Sequence, residues 1–236
     1  GHIATALERY APVIALVFEP VQGEGGINVP DARLKVMIDY LKNFMKKTFG
    51  GELYIIADEV QTGLGRTGKM WACEHFGIEP DMLVTSKSLG AGIPIGAVIV
   101  NDDKFPDLEP GMHSGSHHAT PLACAGAIAN IDKIIRENLV EQSANHGAYL
   151  LKRLEAIKDQ WFPLITDARG SGLMIGVEFE TVAQRDRIRK ESFKRGLLLT
   201  NAGEKTIRMT PPLVVSIPEL DKALEIFENV LESLTI

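Results

Sequence analysis

Asp58 and Lys87 are the two residues of this 236-residue chain whose types and spacing suggest chemistry. Each stands where a short apolar run stops. Leu53 to Ala57 runs into Asp58 and Glu59, and Met82 to Thr85 runs into Ser86, Lys87 and Ser88. The two lie 87 − 58 = 29 positions apart, and a strand, crossover and parallel strand together take roughly 30 residues. The spacing therefore predicts both side chains at the carboxyl rim of neighbouring parallel strands, where open α/β sheets bind their ligands. A carboxylate and an amine on one rim suggest a reactive site.

The elements that must position this pair follow from periodicity. IATALERYA at residues 3–11 reads as a short helix, and Val13 to Phe18 is the continuous apolar run of a doubly covered strand. VQGEGG follows, with Gly23, Gly25 and Gly26 marking a loop of unusual backbone. Asp31 is expected to cap a helix through Lys47 that turns Leu34, Ile38, Leu41 and Met45 inward. Strands are expected at Leu53 to Ala57, Met82 to Thr85 and Ala97 to Val100, with a short helix around Trp71 to Phe76. After a Pro- and Gly-broken loop, Pro121 opens one helix, and a second runs from Leu139 to about Ile157.

The texture then changes. A strand-like LMIGVEF sits among Gly170, Gly172 and Gly176, and Thr181 to Arg195 is a charged, solvent-facing helix closed by Gly196. Short strands are expected at Leu197 to Leu199 and Ile207 to Met209. A capping box of Ser216 and Glu219 opens a last helix with Leu220, Leu224, Phe227, Leu231 and Leu234 inward. The expected fold class is α/β: part of a mainly parallel sheet with flanking helices over residues 1–140, then a smaller α+β domain over 141–236.

Bulk composition narrows the partners. A net charge of −6 from 25 basic and 31 acidic residues, dispersed along the chain, gives nucleic acid and anionic membranes little to hold. Val13 to Phe18 is far short of the ~20 apolar residues that span a bilayer, and no charged segment of a signal peptide precedes it. Cys73 and Cys124 form no disulfide framework, so a reducing cytoplasm is expected.

Three patterns need weighing. GLGRTG, Gly63 to Gly68, matches the dinucleotide fingerprint, but its acids precede the glycines and no long helix follows, so a flexible loop is the plainer reading. His113, His117 and His118 lack the paired spacing of structural metal sites, and no metal is expected. Lys87 is either a solvated loop lysine or an activated amine that forms a Schiff base with a carbonyl compound. A Schiff-base lysine together with an acid on a pyridinium nitrogen is the signature of pyridoxal phosphate chemistry.

FEPVQGEGG (Phe18 to Gly26), IIADEVQTGLGRTGKMWACEHFGIEPDM (Ile55 to Met82), SKSLGAGIPIGAV (Ser86 to Val98), PLACAGA (Pro121 to Ala127) and IRMTPPLVV (Ile207 to Val215) together resemble the class III aminotransferases. These are pyridoxal phosphate enzymes of fold type I that act on 4-aminobutyrate, ornithine, acetylornithine and similar amines. The resemblance implies that Lys87 binds the cofactor as a Schiff base and shuttles a proton, while Asp58 keeps the pyridine nitrogen protonated. It implies that Gln61 donates to the ring hydroxyl oxygen, and that Ser116 offers a hydroxyl to the phosphate, a contact lent by a neighbouring subunit in the family, hence a homodimer. Glu24 and Arg208 resemble the pair in which the acid masks the arginine in one half-reaction and frees it for a dicarboxylate in the other.

The implied activity is transfer of an amino group from an amine or amino acid to a 2-oxo acid, with 2-oxoglutarate as the expected acceptor. A pyridoxal phosphate-dependent racemase or epimerase, and a non-catalytic assembly fragment, are the alternatives. Two departures stand out: His117-His118 in place of the family's usual aromatic and glycines, and a match to only the second half of family members. The chain alone is therefore expected to hold the cofactor weakly and to turn over poorly.

Overall fold

The computed structural model describes residues 13–105, 109–112, 115 and 118–234, so the helix expected over 3–11 lies outside the described residues. The chain divides into two compact units. One takes the stretch up to Pro20, Pro30–Gln61 and Ala72–Asp132. The other takes Val21–Val29, Thr62–Trp71 and Lys133–Ile236. By contacts, then, two loops from the first half group with the second half.

The first unit is built on β1 (Ala15–Phe18), β2 (Tyr54–Asp58), β3 (Met82–Thr85) and β4 (Ala97–Val100), in that spatial order. β1, β2 and β3 run parallel and β4 antiparallel, giving the mainly parallel sheet expected. Helix α1 (Arg33–Phe49) is the β1–β2 crossover and buries Ile38, Leu41 and Met45. Its cap differs slightly from expectation: Ala32 stands at the N-cap, while Asp31 Oδ1, one residue earlier, accepts the Arg33 N–H at 2.8 Å. Gly50, at φ +69°, ends the helix. The outer strands are less covered than their apolar runs suggested, with Val17 62 % and Val98 60 % exposed. Helix α2 (Pro121–Arg136) completes the ordered elements before the second unit.

That unit packs α3 (Leu139–Gln160), α4 (Val182–Lys194) and α5 (Ile217–Leu234) with an antiparallel sheet. Its strands are β5 (Ile165–Ser171), β6 (Met174–Phe179), β7 (Thr200–Ala202) and β8 (Thr206–Met209), ordered β5-β6-β8-β7. Ile175, Val177, Phe179 and Ile207 face Leu150, Leu154, Ile188, Leu220, Leu224 and Phe227 in one core. β5 was not legible, because ITDARGS has no clean alternation and becomes a strand only by pairing with β6. The strand expected at Leu197 to Leu199 forms three residues later, since the turn at Gly203 sets its register with Ala202 opposite Thr206. α4 is not solely solvent-facing. Arg185, Ile188 and Ser192 are buried along one side, and a Thr181–Gln184 capping box opens it.

Candidate active site

Asp58 is the last residue of β2 and stands in register with Val84 of β3. The pairing continues one step further through Glu59 N–H to Val84 O at 2.8 Å. Val60 N–H donates to Asp58 Oδ1 at 3.0 Å, which orients the carboxylate where β2 ends. Lys87 follows Val84 by three residues and opens a 3-10 turn, Lys87–Gly90. Sheet geometry thus brings the two predicted residues to one rim.

The Lys87 backbone is left-handed at φ +42°, a region that non-glycine residues adopt only when their surroundings dictate it. Those surroundings are visible. Ser86 Oγ donates to Ile95 O at 2.7 Å, Asn130 Nδ2 of α2 donates to Ser88 O at 2.7 Å, and Leu89 is buried. Lys87 itself is exposed on this held turn. Gln61 is half-buried in the turn leaving β2, and Ser116 lies outside the described residues.

Next to Asp58, Glu59 is 1 % exposed and accepts the Cys73 N–H at 2.8 Å. Burial, and then the Glu59 carboxylate, push the Cys73 thiol up to about 12, so it stays a neutral core group rather than a nucleophile. Asp81, at the opposite end of β3, is also buried; it accepts the Ile55 N–H at 2.6 Å and pairs with Lys42 and Lys104. Its distance along the strand from the rim marks it as structural.

In the second unit, Arg208 Nη1 donates to Glu24 Oε1 at 2.7 Å and Arg208 Nε to Thr200 Oγ1 at 3.1 Å. The two residues are 184 positions apart in sequence. The loop carrying Glu24 closes on itself by a Gln22–Asn28 bridge, and Arg169 Nη2 and Nε hold its Gly26 and Ile27 carbonyls. Arg169, unnoticed in the sequence, is signalled there only by the charge inside ARGSG.

GLGRTG is neither a dinucleotide turn nor a flexible loop. Leu64 and Thr67 are buried, and a Cβ at Gly68 (φ +87°) would stand 2.9 Å from Ala144 Cβ on α3. Arg66 donates to Leu173 O at 3.1 Å and Pro211 O at 2.5 Å, and burial pushes its guanidinium down to about 10. Among the described residues, no group of three His, Cys, Asp or Glu could hold a metal ion, and no helix is long and apolar enough to cross a membrane. His113 and His117 lie outside the described residues.

Fold and rim define an α/β protein of the class whose ligand sites lie at the carboxyl ends of parallel strands. The family profile described as "Aminotransferase class-III" matches residues 3–231, and the chain belongs to that family. It is 38 % identical to the acetylornithine aminotransferase of Gloeobacter violaceus, covering 94 % of this chain and 54 % of that one. It is likewise 38 % identical to the putrescine aminotransferase of Pectobacterium atrosepticum, covering 94 % and 47 %. The crystal structure of acetylornithine aminotransferase from Elizabethkingia anophelis superposes with a TM-score of 0.86 at 31 % identity, over 98 % of this chain and 60 % of that one. These neighbours place the fold in fold type I. The chain spans about half the length of the curated relatives it matches.

Proposed function

We propose that this chain carries the carboxylate and lysine of a pyridoxal 5'-phosphate site and serves in class III transamination. The donor is an amine or amino acid of the kind its relatives' names describe, and the acceptor a 2-oxo acid, in our reading 2-oxoglutarate. The observation that carries the reading is Asp58 and Lys87 at the ends of adjacent parallel strands. The donor set suits the group: an oriented carboxylate for a pyridine nitrogen, and an exposed amine on a rigid turn for a carbonyl carbon. When bound, pyridoxal phosphate supplies a ring that accepts electrons from the substrate carbon.

Asp58 would keep a proton on the ring nitrogen by opposite charge. Lys87 Nζ would hold the group through its carbonyl carbon and would move a proton at the substrate carbon. Gln61 would donate to the ring hydroxyl oxygen, and Ser116 would offer its hydroxyl to the phosphate held by a neighbouring subunit in a homodimer. Glu24 covers Arg208 until a dicarboxylate displaces it. In our reading residues 1–140 belong mainly to a cofactor-binding domain and 141–236 to a small domain, in a protein of the reducing cytoplasm.

Borohydride reduction of the chain with excess pyridoxal phosphate, followed by peptide mapping, tests this without needing turnover. A pyridoxyl adduct concentrated on Lys87 and lost in Lys87→Arg is expected. No adduct, or one spread evenly over exposed lysines, overturns it.

A further inference from the structure

The outer face of the antiparallel sheet carries one continuous row. Arg169 of β5 is opposite Gly176 of β6, Gly176 is opposite Arg208 of β8, and Arg208 is opposite Thr200 of β7. Residues opposed across strands share a face, so two arginines project to one side with a glycine between them. The gap over the glycine is filled by the Glu24 loop. A Cβ on Gly176 would stand 3.0 Å from Ile27 Cβ and 2.9 Å from Thr206 Cγ2.

Arg169 grips one side of that loop. Nε donates to Ile27 O at 3.1 Å, and Nη2 to Gly26 O at 2.6 Å and Thr206 Oγ1 at 3.2 Å. Nη1 donates to Asp167 Oδ2 at 2.9 Å and Glu178 Oε2 at 2.7 Å. The two carboxylates aim the planar guanidinium, whose fork can then hold two carbonyls at once. Arg208 takes the other side through Glu24, and Gly203 N–H donates to Glu24 O at 2.6 Å. Where Arg169 places Gly26 and Ile27 therefore sets how far Glu24, two and three residues earlier, reaches over Arg208.

We infer that Arg169 is a positioning residue for the Glu24–Arg208 pair, holding the loop over Gly176 so that Glu24 competes with an incoming dicarboxylate for Arg208. The inference rests on reading that pair as the gate for a substrate carboxylate.

Arginine-selective labelling of the full chain with phenylglyoxal, followed by peptide mass spectrometry, measures access to Arg208; the half-buried Arg66, held by the Leu173 and Pro211 carbonyls, serves as an internal control for folding. In Glu24→Gln and in Arg169→Met, labelling of Arg208 rises about tenfold, the change expected from losing one charge-assisted hydrogen bond. The concentration of glutarate that half-protects Arg208 falls to match, and Arg66 stays protected. Arg169→Lys, with one cationic point in place of a fork, lies between. Gly176→Ala keeps every charge but wedges the loop, and raises Arg208 labelling as well. If Glu24→Gln exposes Arg208 and Arg169→Met and Gly176→Ala do not, the positioning role is overturned and the pair stands. If none of them changes Arg208, the reading of the pair falls too. If Arg66 becomes labelled along with Arg208, Arg169 supports the whole unit rather than the loop, which also overturns the inference.

Discussion

Asp81 shows how an ionised group far from the rim holds it in place. Burial raises its pKa, but the hydrogen bond from Lys104, the Ile55 N–H and the charges of Lys42 and Lys104 outweigh that and hold it below the usual carboxylate value. A depressed carboxylate contributes stability above its unfolded value of about 3.9 and loses it as pH falls through the folded one. Acid unfolding of the chain should therefore include a proton uptake that Asp81→Asn removes, measured as a flatter dependence of stability on pH below about 4. Asp81→Ala should cost about 2–3 kcal/mol by urea unfolding, because Ile55 N–H loses its acceptor. The lysines, 34 % and 38 % exposed, can turn to water. A loss below 0.5 kcal/mol, roughly the scatter of surface substitutions, would count against this account.

The contact of the GLGRTG segment with α3 makes a sharper demand. Gly68 combines a left-handed φ with a closest approach of 2.9 Å to Ala144, so an added methyl group meets both backbone strain and overpacking. Gly68→Ala should cost about 2–4 kcal/mol. Gly51→Ala, whose new Cβ meets nothing within 4 Å, should change the urea midpoint little; equal effects at the two positions would refute the packing argument. Elements with strong local periodicity were legible: β3, β4, α1, α2 and α5 all form close to where their apolar spacing put them. β5 and the register of β7 were not, because each depends on a partner strand and a turn rather than on its own residues.

Taken whole, the described chain leaves an apolar sheet edge in solvent: Val98, Ile99 and Val100 of β4 are 60 %, 49 % and 41 % exposed. An exposed, hydrophobic edge strand invites pairing with another chain. Concentration-dependent light scattering is thus expected for the isolated chain and should fall in Val98→Lys with the far-UV circular dichroism unchanged. Scattering identical in both would show that this edge does not associate.

The sequence by itself determined the order and type of most elements, and the acid and lysine one crossover apart, because helix and strand periods and the length of a βαβ step are local properties of the chain. Tertiary structure alone decided that Arg169 grips the loop carrying Glu24, that Arg169 and Gly176 share a row with Arg208, and that GLGRTG is packed rather than free. Those contacts depend on strand pairing and on which surfaces exclude water, and neither is written in any one stretch of residues.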